Sequence, residues 1–142
     1  MINIKRARLQ DVDAVYSFIT ALEKEKFNKR VFKSIYTRNL RNKDNVYLIA
    51  WQSVPVGYLS CHVQGLLHHG SDVAEIQEMY VVPEKRGQGI GKQLVNQLKS
   101  ILKKQKVNRI EVTSQFYRKQ AHQFYEGENF KLTSKKFVCV DF

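Results

Sequence analysis

The spacing of apolar residues changes several times along the chain, and each change marks an element. Ile2, Ile4 and Ala7, interleaved with Arg6 and Arg8, predict a first strand ending near Arg8. Gln10-Asp11-Val12-Asp13 then starts a helix. Asp11 or Asp13 suits its positive N-terminus, and Val12, Val15, Tyr16, Phe18, Ile19 and Leu22 give it a broad apolar face. Val31, Phe32, Ile35, Tyr36 and Leu40 share one side of a second helix over 28–40, followed by a turn at Asn42-Lys43-Asp44-Asn45. Two β-branched and aromatic runs, 46–51 and 56–63, predict a hairpin around Gln52 to Pro55. The loop from Leu66 to Asp72 leads into a strand over 73–82, stopped by Pro83. Ile90, Leu94, Leu98, Ile101 and Leu102 form one stripe of a long helix. A strand over 109–113 follows, then a short helix holding Ala121, Phe124 and Tyr125 and ending at Gly127. A hairpin of 130–132 with 137–142, through Thr133-Ser134-Lys135-Lys136, is predicted to close the chain. The order β-α-α-β-β-β-α-β-α-β-β makes residues 1–142 one domain of the α/β (α+β) class, with no repeat and no Pro-rich linker.

The passage from the strand ending at Pro83 to the long helix carries the most informative stretch, Arg86-Gly87-Gln88-Gly89-Ile90-Gly91-Lys92. The first N–H groups of a helix lack intrahelical partners and sit at the positive end of the macrodipole. Three glycines at alternate positions clear the approach to those groups, and Arg86 and Lys92 add positive charge at the edges. This is an anion cradle suited to a pyrophosphate. A P-loop needs Gly-Lys-Ser/Thr, but Gln93 follows Lys92. A Rossmann fingerprint counted from Gly87 needs a third glycine where Lys92 stands.

Arg86-Gly87-Gln88-Gly89-Ile90-Gly91 resembles the acetyl-CoA pyrophosphate loop of the GNAT superfamily of N-acetyltransferases, Arg/Gln-x-x-Gly-x-Gly/Ala, and the element order resembles that fold along the whole chain. The resemblance implies a mixed central sheet with helices on both faces. It also implies acetyl-CoA as co-substrate, its diphosphate on Arg86, Gly87, Gln88, Gly89, Ile90, Gly91 and Lys92, and its pantetheine arm along the backbone of Met79, Tyr80, Val81 and Val82. More narrowly, Asp13-Ala14-Val15-Tyr16, Asn39-Leu40-Arg41, His62-Val63-Gln64, His68-His69, Glu75-Ile76-Gln77-Glu78 and Ala121-His122-Gln123-Phe124-Tyr125 resemble segments of bacterial aminoalkylphosphonate N-acetyltransferases. That resemblance alone suggests an aminoalkylphosphonate as acceptor.

Composition narrows the setting. Hydrophobic residues make up 43% and charged residues 26%, which excludes a disordered chain. No apolar run approaches a membrane span and Met1-Ile2-Asn3-Ile4-Lys5 does not read as a signal peptide, so a cytoplasmic protein is expected. Cys61 and Cys139 both lie in apolar strand-like runs and read as buried free thiols. The net charge of +11 invites a nucleic-acid reading, but the cations are dispersed and no nucleic-acid motif is present. The charge equally suits a ligand with several phosphates, as coenzyme A has.

Acetyl transfer to an amine needs a proton acceptor for the ammonium, a donor for the departing thiolate and a donor to the carbonyl oxygen. A backbone N–H near Tyr80 is the natural candidate for the last. The resemblance assigns the thiolate's donor to Tyr125 and the base to Glu75, with Glu78 in reserve. On a regular strand their odd spacing puts the two carboxylates on opposite faces, so only one reaches the cleft unless a bulge intervenes. His62, His68 and His69 follow no known ligand spacing; they line a substrate pocket or a surface loop, and no metal is assigned. The reading is an acetyl-CoA-dependent N-acetyltransferase acting on a small primary amine by direct transfer in a ternary complex. Its partners are acetyl-CoA and that amine, without a membrane, with nucleic acid disfavoured and a homodimer allowed. The alternatives are an aminoglycoside or polyamine N-acetyltransferase and a non-catalytic acetyl-CoA-binding regulatory module.

Overall fold

The β-branched and aromatic runs pair in chain order. In the computed structural model, which describes residues 1–142, β1 (Asn3–Arg6), β2 (Asn45–Gln52), β3 (Val54–Leu66), β4 (Ser71–Val81) and β5 (Ile110–Val112) form one sheet in that order. Neighbours are antiparallel except β4 and β5, which are parallel. The β2–β3 turn is tighter than predicted: Ser53 alone separates the strands, at φ +67°.

Helices cover both faces, because the strands alternate two apolar sets. One set, including Val46, Leu48, Leu59 and Ile76, packs against Ile90, Leu94 and Leu98 of α3 (Ile90–Lys104). Phe124 of α4 (Lys119–Gly127) and Phe130 join that layer. On the other face Tyr47, Ile49 and Tyr58 pack against Val15 and Phe18 of α1 (Val12–Glu23) and Tyr36 of α2 (Lys29–Leu40). Tyr36 also donates from its hydroxyl to Arg8 O at 2.7 Å. That anchoring turns α2 so that Val31 and Ile35, predicted on its buried side, are 54% and 43% exposed. The start of α3 lies very close to the sheet at Gly57, where a Cβ would meet Ile90 Cγ2 at 3.2 Å and Tyr80 O at 3.4 Å.

Two irregularities in β4 shape the site. Ser60 faces Glu78 and Cys61 faces Ile76, so Gln77 is the extra residue of a β-bulge. In addition, β5 pairs with β4 only from Ala74 to Ile76, while β4 continues to Val81. From the bulge onward, the β5 side of β4 has no strand neighbour.

The closing hairpin over 130–132 and 137–142 is not formed, so the observed order ends at α4. Phe137, Val138, Val140 and Phe142 are exposed, and Cys139, expected to be buried, is exposed with them. Alternating apolar residues make a strand only where an edge receives them. Here the outer edge belongs to a β5 of three residues, and an isolated hairpin is marginal in water.

Candidate active site

The bulge decides where the two carboxylates point. Glu75 faces His62 and Glu78 faces Ser60 across the β3–β4 ladder, and directly opposed residues share a face. Gln77 adds one residue between them, so both lie on the α1–α2 face despite their odd spacing. Ser60 Oγ donates to Glu78 Oε1 and accepts from the Glu78 N–H at 3.0 Å. Burial pushes the Glu78 carboxyl above the usual range; the Ser60 hydroxyl opposes that, and the charge of Glu23 adds to it. Glu75 has a different setting, its Oε1 accepting from Gln77 Nε2 at 3.0 Å on the outside of the bulge.

Backbone direction in the open part of β4 follows from the bonds that are made. Glu78 N–H turns to Ser60 and Val82 N–H donates to Val56 O at 2.9 Å, both toward β3. Alternation therefore turns Tyr80 toward β3 as well, and Met79 and Val81 toward the gap. The Val81 carbonyl, accordingly, accepts from Arg86 Nε at 2.8 Å. The Arg86 guanidinium carbon lies 5.2 Å from the Tyr80 ring centroid, a cation–π contact that folds it back over the strand end. Of the four residues expected to bond a pantetheine arm, two offer their backbone to the gap.

The cradle at the end of β4 is a run of unused donors. The N–H groups of residues 87–92 have no acceptor within the chain, and the first that does, Gln93, donates to Gly89 O at 3.0 Å. Its glycines serve two purposes. Gly87 and Gly89 hold φ of +78° and +82°, where a side chain is strained. Gly91 has ordinary φ, but a Cβ there would meet the Phe124 ring at 3.2 Å, so it admits α4. Ile90, expected in the cradle, turns its side chain into the core at 2% exposure and contributes only its backbone.

Phe124 seated on Gly91 brings its neighbour Tyr125 to the same end of the sheet. The Tyr125 ring stands edge-on to Phe124 and Phe130 at 5.5 and 5.6 Å between centroids. Burial pushes its hydroxyl up to about 12, with Arg118 opposing, and that hydroxyl makes no hydrogen bond within the protein. A phenol in this state is protonated throughout the neutral range and free to donate.

Residues 12–130 match the model of the acetyltransferase (GNAT) family. The chain belongs to that family. It is 32% identical over 136 residues to an aminoalkylphosphonate N-acetyltransferase of Salmonella typhimurium, a match covering 95% of this chain and 88% of that one. Two solved structures share the fold. An aminoglycoside antibiotic 6'-N-acetyltransferase from Acinetobacter baumannii is 16% identical with a TM-score of 0.86, covering 100% of this chain and 99% of that one. A predicted acetyltransferase with acetyl-CoA from Clostridium acetobutylicum is 18% identical with a TM-score of 0.81, covering 98% and 96%. This GNAT protein is thus an N-acetyltransferase, with acetyl-CoA as its co-substrate. Its orphan N–H run and open strand edge fit a diphosphate and an amide-bearing arm. No helix is long and apolar enough to cross a membrane.

The histidines separate. His62 stacks on Tyr47 at 5.7 Å and its Nε2 is 2.9 Å from the Tyr47 hydroxyl, which accepts from Asn39 Nδ2 at 2.9 Å. Burial holds the His62 pKa down, with Glu75 opposing. His68 and His69 sit in the turn before β4, where His69 Nε2 lies 3.5 Å from Glu111. No group of three or more His, Cys, Asp or Glu is placed to hold a metal. Sequence reasoning missed Ser60, whose pairing with Glu78 depends on the bulge, and the ion pair of Glu23 with Arg118, which joins residues 95 apart.

Proposed function

We propose that this protein moves the acetyl group of acetyl-CoA directly to a small primary amine in a ternary complex, with an aminoalkylphosphonate as the acceptor class. One observation carries the catalytic reading: Glu78, a carboxyl held above its usual pKa, stands on the one stretch of β4 whose edge is open, and Tyr125, a protonated phenol, follows the Phe124 that seats on Gly91 just past that stretch. Glu78 takes the ammonium proton, since a base works best with a pKa closer to the operating pH. Ser60 orients it. The Met79 N–H, turned into the gap, meets the carbonyl oxygen, and Tyr125 gives a proton to the departing thiolate. Acetyl-CoA supplies the activated acyl group, its diphosphate on the N–H groups of residues 87–92. Glu75 lines the acceptor side of the same face. The assignment of the base thereby moves from Glu75 to Glu78, on burial and on the direction of the shift.

Direct transfer is supported by the cysteines. Burial pushes the Cys61 thiol up to about 12, which leaves almost no thiolate, and Cys139 is exposed in the C-terminal stretch that joins no strand, with no neighbouring base bonded to its sulfur. The acceptor class rests on the 32% identity to the Salmonella typhimurium enzyme over nearly the whole chain. Thiol release from acetyl-CoA, measured against amines with and without an anionic group, tests it. Intersecting initial-rate lines and a preference for 2-aminoethylphosphonate are expected. Parallel lines would overturn direct transfer, and a preference for aminoglycosides or polyamines would overturn the acceptor class.

A further inference from the structure

A single ion pair bridges the two helix layers. Arg118 Nη2 lies 3.2 Å from Glu23 Oε2, joining the last residue of α1 to the N-cap of α4. The two elements belong to opposite faces: Phe18 of α1 rests 5.8 Å from the Tyr80 ring, while Phe124 of α4 seats against Gly91. The pair is also within electrostatic reach of both groups proposed for proton transfer. Glu23 acts on the Glu78 carboxyl and Arg118 on the Tyr125 hydroxyl.

Arg118 is built to hold its position. Its N–H donates to Gln115 O at 3.0 Å, its carbonyl accepts from His122 N at 3.1 Å, and its guanidinium carbon lies 5.8 Å from the Tyr117 ring centroid. The side chain is 22% exposed, against 42% for Glu23. Yet the guanidinium makes only the bond to Glu23, leaving the rest of its donor fork without acceptors in the chain. A mostly covered fork with spare donors matches a carboxylate, phosphonate or phosphate better than one contact from a more exposed carboxylate does.

We propose that Arg118 is the specificity-determining residue that reads an anionic group on the acceptor, and that Glu23 is its tethered stand-in, displaced when the acceptor binds. This rests on the reading of the β4 gap as the acetyl-transfer site. On this proposal an amine delivered to Glu78 holds its anion, on a short aliphatic spacer, against Arg118, whose partner Glu23 also acts on Glu78. Exchanging the Glu23 carboxylate for that anion keeps the guanidinium paired. The device favours acceptors carrying both charges over simple amines, because only they replace the contact that is lost.

The test is thiol-release kinetics with two acceptors of matched length, 2-aminoethylphosphonate and propylamine, on wild type, Arg118→Gln and Glu23→Gln. Arg118→Gln should raise KM for the phosphonate by about 10-fold or more, with kcat and both propylamine constants within about threefold. Glu23→Gln should lower the phosphonate KM, because the competitor is gone. A clasp that only braces the fold predicts the opposite: both variants lose melting temperature and both acceptors suffer alike, which overturns the proposal. So does a Glu23→Gln variant that raises the phosphonate KM. Calorimetric titration of 2-aminoethylphosphonate without acetyl-CoA must give the same order of affinities, independently of turnover. Absence of thiol release with either acceptor counts against the acetyl-transfer reading itself. Equal phosphonate affinity in wild type and Arg118→Gln counts against this inference alone.

Discussion

Glu75 and Glu78 point to the same face of the sheet although they are three residues apart on one strand, because Gln77 takes up the odd residue in a bulge. Their surroundings then separate them. Glu78 is partly buried against Ser60, and Glu75 lies at the rim beside Gln77. Exchanging each for glutamine distinguishes a base from a neighbour. Glu78→Gln should lower turnover by about 10²–10⁴ while acetyl-CoA affinity stays within a few-fold. Glu75→Gln should act mainly on the acceptor KM. Stability gives a second readout. The Glu78 pKa is raised in the folded protein, so stability falls as pH climbs from the ordinary carboxylate range through the raised value. Glu78→Gln removes that loss, so it should melt no lower than wild type near neutral pH, with any gain shrinking in acid. A dead enzyme with sharply reduced melting temperature would contradict this account.

Ser60 tunes that carboxyl. Its hydroxyl bond favours the charged form and opposes the effect of burial. Ser60→Ala should therefore raise the Glu78 pKa further. The acid limb of the kcat/KM profile should move to higher pH, with the plateau less affected. A limb moving the other way would remove Glu78 from the rate profile.

Tyr125→Phe keeps the ring and its contacts with Phe124 and Phe130 while deleting the hydroxyl. Melting temperature and acetyl-CoA affinity should change little. Turnover should fall by about 10- to 1000-fold, and any alkaline limb due to the phenol, held up to about 12 by burial, should vanish. Wild-type turnover in this variant would make Tyr125 a packing residue.

The cradle glycines should fail in different ways. Gly89→Val places a β-branched residue at φ +82° and should weaken acetyl-CoA binding by about 10- to 100-fold. Gly91→Ala pushes on the Phe124 ring at 3.2 Å and should displace α4. Its mark should be lower melting temperature and turnover, with coenzyme affinity the lesser change. Calorimetry with acetyl-CoA beside thermal melting checks both.

The legible parts of this fold are those with a local signal. The stripe from Ile90 to Leu102, the hairpin partners of β2 and β3 and the glycine-rich entry to α3 all followed from spacing. The bulge did not, because Glu75-Ile76-Gln77-Glu78 alternates like any strand and its extra residue is defined only by Ser60 and Cys61 opposite. Nor did the pairing of Glu23 with Arg118, whose partners meet only after the sheet assembles. The last hairpin failed for a related reason: Phe137 to Phe142 carry strand residues, but pairing depends on an edge elsewhere in the chain.

The close approach at Gly57 has one more effect. Ile90 belongs at once to the cradle and to the core, locked over Gly57 beside Tyr80 O. The diphosphate anchor and the open strand are therefore two marks on one rigid ruler, fixed by packing. With the thioester carbonyl on the Met79 N–H, as proposed, an arm shorter or longer than pantetheine is expected to fall out of step, since a strand offers its next residue only about 3.3 Å along, facing the other way. On that proposal, acyl carriers are expected to be discriminated by arm length, through a packing contact at Gly57.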